Sequence, residues 1–259
     1  MTDVNGGPLL EARAIELSYG RVQALRGADF AVRAGEVVAL VGDNGAGKST
    51  LVKILSGTLR PDAGEILFES RPVSLRSPHE ARDLGIETVY QDLAVAPDLD
   101  PAANLFLGRE RTLAGPLGRL GFLDRRAMRR EADEAFASLG VELQDTDVSV
   151  ASLSGGQRQG VAVSRAVTWA SRVVFMDEPT AALGVVQSRN VYELIRRVRS
   201  SGLAVVLISH NLPEVFEVAD RIEVMRLGRR VARFEATGTS MDEVVAAMTG
   251  ASERDEEDS

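Results

Sequence analysis

The chain has 259 residues, 44% apolar and 26% charged, which fits a globular protein of one to two domains with ample material for a buried core. Its net charge of −8, part of it in the stretch Glu253 to Asp258, is the wrong sign for nonspecific binding along a nucleic-acid backbone, so no nucleic-acid partner is expected. The absence of cysteine excludes disulfides and thiolate chemistry, and neither an apolar run of membrane-spanning length nor a secretion-signal pattern from Met1 to Leu10 is present.

Glu36 to Val41 reads as a buried strand, and Gly42-Asp43-Asn44-Gly45-Ala46-Gly47-Lys48-Ser49-Thr50 follows at once. A helix then runs through Leu51, Val52, Ile54 and Leu55 to a stop at Gly57. Glycines let backbone N–H groups curl around phosphates, and the helix N-terminus adds a favourable dipole. Lys48 is expected at the β- and γ-phosphates and the Ser49 hydroxyl on Mg²⁺. Lys48 and Lys53 are the only lysines, arginine supplying the rest of the basic charge.

Ile86 to Val89 reads as a strand, followed by Gln91. Asp100 and Pro101 open a short helix through Leu107. Asp124 caps a second one, whose apolar positions Met128, Ala132, Ala135, Phe136 and Leu139 make one face. Arg125, Arg126, Arg129 and Arg130 read as its solvated side. In Leu153-Ser154-Gly155-Gly156-Gln157, Ser154 is a suitable N-cap. The two glycines bare backbone N–H groups, and a helix from Gln157 to Val167 points its positive end outward, making a second anion site.

Arg172 to Met176 is a further buried strand, ending in Asp177-Glu178-Pro179-Thr180. Such a strand edge is where ligands bind in an open α/β sheet. Asp177 is therefore expected to hold Mg²⁺ through water and Glu178 to polarise an attacking water. Ala204 to Ile208 is a third buried strand, ending in Ser209-His210-Asn211, which makes His210 a candidate γ-phosphate contact. The other histidine, His79, reads as structural or exposed. Strands Arg221 to Arg226 and Arg230 to Glu235 precede a last helix capped by Ser240, with Glu243 three residues on.

These motifs, in this order and spacing, resemble an ATP-binding cassette ATPase from about Leu9 to Gly250. The resemblance implies an α/β P-loop NTPase fold: a RecA-like core sheet, an antiparallel β subdomain and a helical subdomain inserted at about 92–165. Residues 1–8 would be a flexible N-terminus, 9–250 a single domain and 251–259 an acidic disordered tail. It implies that Tyr19 stacks on adenine and that Gln91 couples Mg²⁺ and the γ-phosphate to a membrane partner. Ser154, Gly155, Gly156 and Gln157 would close over ATP held by a second ATPase subunit, head to tail. Ala94, Val95, Ala96, Leu99, Phe106 and Leu107 are candidates for a groove that receives a membrane permease.

The runs Glu87 to Pro97 and Asn104 to Glu110 resemble the ribose- and xylose-type sugar importers. That branch implies ATP hydrolysis at the cytoplasmic face of the membrane, driving a permease served by a sugar-binding protein. A soluble cassette acting on nucleic acid or ribosomes, and an exporter cassette, are the alternatives. One departure stands out. The family's segment after Glu178 usually ends in an aspartate that crosses the dimer interface, and here Ala181-Ala182-Leu183 is followed by Gly184.

Overall fold

The structure, a computed structural model, describes residues 7–89, 95–143, 145–181 and 183–251. Gln91, Ala94, Ala182, residues 1–6 and the tail from 252 onward lie outside the described residues, so the expectations placed on them are not addressed by it.

In chain order the elements are β1 (Leu10–Tyr19), β2 (Val22–Val32), β3 (Val37–Val41), α1 (Lys48–Leu55), β4 (Ala63–Phe68), β5 (Arg71–Val73), α2 (Pro78–Asp83) and β6 (Ile86–Val89). Then come α3 (Pro101–Leu105), α4 (Pro116–Arg119), α5 (Arg125–Leu139) and α6 (Gly155–Trp169). The C-terminal part holds β7 (Val173–Asp177), α7 (Val185–Ser200), β8 (Ala204–Ile208), α8 (Leu212–Val218), β9 (Arg221–Arg226), β10 (Arg229–Glu235) and α9 (Met241–Thr249). Among the described residues no helix is long and apolar enough to cross a membrane.

Two sheets form. The six-stranded sheet has the order β10-β9-β3-β8-β7-β6, parallel except for β10, and the four-stranded sheet β2-β1-β4-β5 is antiparallel. Strands β3, β7 and β8 are apolar almost throughout because a parallel sheet is covered on both faces. Their period-2 alternation divides them between two cores. Val38, Leu40, Phe175, Val206 and Ile208 pack with α1 and the antiparallel sheet, whereas Val37, Val174, Met176, Val205 and Leu207 pack with α6 and α7. Ala39 and Val41 join β9, α8 and α9 in a third cluster.

The helices α3, α5 and α6 share their own core of Leu105, Phe106, Met128, Ala132, Phe136 and Val161. This corrects one expectation: Phe106 is 1% exposed and stacks edge-on against Trp169 at 5.6 Å, so it is core, while Leu99 and Leu107 are exposed. The arginines at 125, 126, 129 and 130 do lie on the solvated side of α5.

A buried ion-pair network ties the two sheets together. Arg221 of β9 donates to Glu36 at 2.7 Å and to the Ala31 carbonyl of β2 at 2.7 Å, and it also pairs with Glu223. Glu223 is fully buried and accepts from Arg233 at 3.0 Å and Arg230 at 3.4 Å as well.

Candidate functional site

The site is built where β3, β7 and β8 end side by side. Gly42 leaves β3 with φ 145°, and a Cβ there would stand 2.1 Å from the Met225 carbonyl of β9, so only glycine fits. The loop then turns back on itself, with the Ala46 N–H donating to the Asp43 carbonyl at 3.1 Å, and enters α1 at Gly47, which supplies no side-chain cap. The first-turn N–H groups of α1 are thus left without a side-chain acceptor, the arrangement that receives an anion. Lys48 is buried and donates from Nζ to the Gly42 carbonyl at 2.6 Å and the Asp43 carbonyl at 3.0 Å, bracing the loop.

Across from the loop, β7 pairs Asp177 with Ile208 of β8, so the residues beyond each strand are neighbours. Glu178 takes φ 50°, a left-handed conformation costing a non-glycine residue about 1–3 kcal/mol, which persists only where the surroundings impose it. Here they do: the Glu178 N–H donates to the Ile208 carbonyl at 2.9 Å, and Glu178 Oε1 lies 2.8 Å from Nδ1 of His210.

Gly42, Asn44, Lys48, Ser49, Asp177, Glu178 and His210 therefore line one cleft of about 520 Å³. Ala46 is buried under it, and Gly45, Gly47 and Thr50 complete the loop and the start of α1. Tyr19, 50% exposed at the end of β1, does not line this cleft and is not a core aromatic. Met248 of α9 and Ala181 also line the cleft and carry no sequence signal that would single them out.

Charge in the cleft is tuned by burial. The Lys48 ammonium is held below its ordinary pKa by desolvation, opposed by Glu178, Asp177 and Asp43. The Asp177 carboxyl is held above its ordinary value, first by burial and then by Glu178, with Lys48 and Lys53 acting the other way. Among the described residues no group of three or more acidic or imidazole ligands could hold a metal by itself. Ser49 and Asp177 on one cleft nonetheless suit Mg²⁺, which keeps several waters and takes its remaining oxygens from phosphates.

Ser154, Gly155, Gly156 and Gln157 stand apart, lining no part of this cleft. Helix α6 starts at Gly155, two residues earlier than expected. The cause is reciprocal capping: Ser154 Oγ accepts the Gln157 N–H at 3.3 Å, and Gln157 Oε1 accepts the Ser154 N–H at 3.0 Å. The Ser-x-x-Gln spacing was the available signal for it. Ser154 and Gly155 are exposed, whereas a Cβ on Gly156 would come 2.7 Å from the Gln187 side chain of α7.

The family model "ABC transporter" matches residues 25–181, a span that holds the loop, the capped α6 and the end of β7. The fructose import ATP-binding protein FrcA of Rhizobium meliloti is 54% identical over 248 residues, 95% of each chain.

The chain belongs to the ABC transporter ATP-binding family.

The xylose/arabinose import ATP-binding protein XylG of Sulfolobus acidocaldarius is 47% identical over 93% of this chain and 94% of its own length. A solved nucleotide-free ATP-binding cassette from an ABC transporter superposes with a TM-score of 0.78 at 25% identity, covering 93% of this chain and 96% of that one. The cassette is thus an ATP-binding ATPase domain with the expected P-loop fold.

Proposed function

We propose that this cassette hydrolyses ATP to energise a membrane permease importing a pentose or hexose. The observation that carries the reading is the division of the motifs. The loop, Asp177, Glu178 and His210 surround one cleft, while the capped N-terminus of α6 contributes nothing to its lining. A head-to-tail pair would bring each α6 N-terminus over the other chain's cleft and close two ATP sites. Lys48 and the first turn of α1 would hold the phosphates, Ser49 and Asp177 would hold Mg²⁺ through oxygen and water, and Tyr19 would stack on the base. Glu178 would take the proton of the attacking water, oriented by His210. Gln91 would complete the Mg²⁺ shell by the resemblance stated above.

The sugar class is supported by identity to proteins named for fructose and for xylose/arabinose import. A separate groove of about 270 Å³, lined by Arg82, Glu87, Leu107, Arg109, Arg165 and Trp169, suits the permease. It is mainly polar and holds an ion pair, Arg109 to Glu87 at 2.6 Å, with Arg109 also stacked 4.8 Å over Trp169. Docking there would place the cassette at the cytoplasmic membrane face.

The test is size-exclusion chromatography of Glu178→Gln with ATP and Mg²⁺, followed by sugar uptake in vesicles holding the permease and this cassette. A dimer that needs both ATP and Mg²⁺, and uptake lost with the substitution, are expected. A variant that remains monomeric overturns the head-to-tail mechanism, and uptake of no pentose or hexose overturns the sugar assignment.

A further inference from the structure

Glu214 is a buried carboxylate that none of the motifs accounts for. It sits buried in the first turn of α8. Its Oε2 accepts the Thr180 hydroxyl at 2.5 Å and the Ser209 hydroxyl at 3.4 Å. Ser209 Oγ in turn accepts the Asn211 N–H at 3.0 Å. Thr180 lies two residues beyond Glu178, and Ser209 immediately precedes His210. One carboxylate therefore fastens both segments that present the Glu178–His210 pair, and fastens them to α8.

We propose that Glu214 is a positioning residue for ATP hydrolysis: through Thr180 and Ser209 it fixes the separation of Glu178 and His210. The chemistry favours this over ordinary core filling. A buried carboxylate is costly unless donors converge on it, and here two hydroxyls from two different segments, Thr180 and Ser209, do so. The strained backbone of Glu178 is held by its hydrogen bonds to Ile208 and from Ala181, and anchoring Thr180 two residues on adds a further restraint on the same turn. Tyr192 of α7 is held well above the ordinary phenol range, first by burial and then by the Glu214 carboxylate.

The discriminating variant is Thr180→Val, which keeps the shape and deletes the donor, set beside Thr180→Ser, which restores it. Steady-state ATPase of the full chain and binding of a fluorescent ATP analogue are read together, with Ser209→Ala as a second probe on the other segment. Thr180→Val is expected to lower kcat by roughly 10- to 100-fold, the cost of a small misplacement of reacting groups, with nucleotide affinity changed less than about threefold. Thr180→Ser should recover most of the rate, and Ser209→Ala should show the same split more weakly. The proposal fails if Thr180→Val leaves kcat unchanged, if affinity falls as much as kcat, or if serine does not restore the rate. Should Thr180→Val not fold, Ser209→Ala decides alone on the same split.

Discussion

Nδ1 of His210 lies 2.8 Å from Oε1 of Glu178, joining the tips of two adjacent parallel strands by a single side-chain contact. Groups that act as a unit lose activity as a unit. Glu178→Gln and His210→Ala should each lower kcat by about 10²-fold or more while ATP still binds, general acid–base groups contributing on that scale. The double variant should be little worse than the worse single one. Losses that multiply in steady-state ATPase assays would show that the two side chains act independently.

Lys48 has two sets of partners to satisfy. Its Nζ already donates to the Gly42 and Asp43 carbonyls at 2.6 and 3.0 Å, so a bound phosphate must share or replace those bonds. Lys48→Met keeps the stem and removes the ammonium. Bracing of the loop is lost, but so is the burial of a charge, and these oppose one another in stability. ATP affinity, by contrast, should fall by roughly 10- to 100-fold, the worth of one or two charge-assisted hydrogen bonds. Calorimetric titration with ATP beside a thermal melt separates the two; a melt lowered by more than about 5 °C, with affinity intact, would make Lys48 a bracing residue only.

Much of this architecture is legible from residue order. Buried runs such as Ala204 to Ile208 are followed at once by a polar tip, and the strand breaks where the chemistry changes, so the neighbouring ends of β7 and β8 could be anticipated. What was not legible depends on partners distant in sequence. Glu214 reads as a helix-start acid until Thr180 and Ser209 fold onto it, 34 and 5 residues away. Arg221 and Glu223 alternate along β9 like a solvent face, yet both are buried, because β10 and Glu36 bring their counter-charges. Phe106 sits beside exposed Leu107, and only packing against Trp169 tells core from groove.

The Arg221–Glu223 network makes a sharp stability prediction. Glu223 is fully buried and faces three arginines, so Glu223→Gln leaves cations without their shared counter-charge. Breaking one partner of a buried pair costs about 3–5 kcal/mol. For a chain of this size that lowers the melting temperature by roughly 10 °C, and a thermal scan at neutral pH should show it. A shift under about 2 °C would mean that water already reaches the network.

Asp177 gives a pH signature. A carboxyl held above its ordinary value takes up a proton on folding, so its stabilising contribution is present below the ordinary 3.8 and is lost as pH rises through the raised value. Above that window the ionised group destabilises the ligand-free cassette. Asp177→Asn should therefore raise the melting temperature at neutral pH and flatten its fall between mildly acid and neutral pH. Stabilisation by ATP with Mg²⁺ should have the opposite slope in the unmodified chain, because Mg²⁺ needs the ionised carboxylate. Melting curves with and without nucleotide across that range test both signs, and a variant less stable than the parent at neutral pH refutes the assignment.

Gly184 separates local stability from communication between subunits. It starts α7 as an N-cap with φ −76° and ψ 169°, an ordinary extended conformation, and provides no side-chain acceptor for the helix. The first turn of α7 holds no acid either. A Cβ at this position meets only Oε1 of Gln187 at 2.7 Å, the far end of a side chain that can swing away. Gly184→Asp should therefore fold and gain a few tenths of a kcal/mol as a better cap. If the family's usual aspartate also links two ATP sites, the Hill coefficient of ATP hydrolysis should change by more than that small gain explains. A raised melting temperature with an unchanged Hill coefficient would assign the carboxylate to the helix alone and leave site-to-site contact to the backbone of residues 181–184.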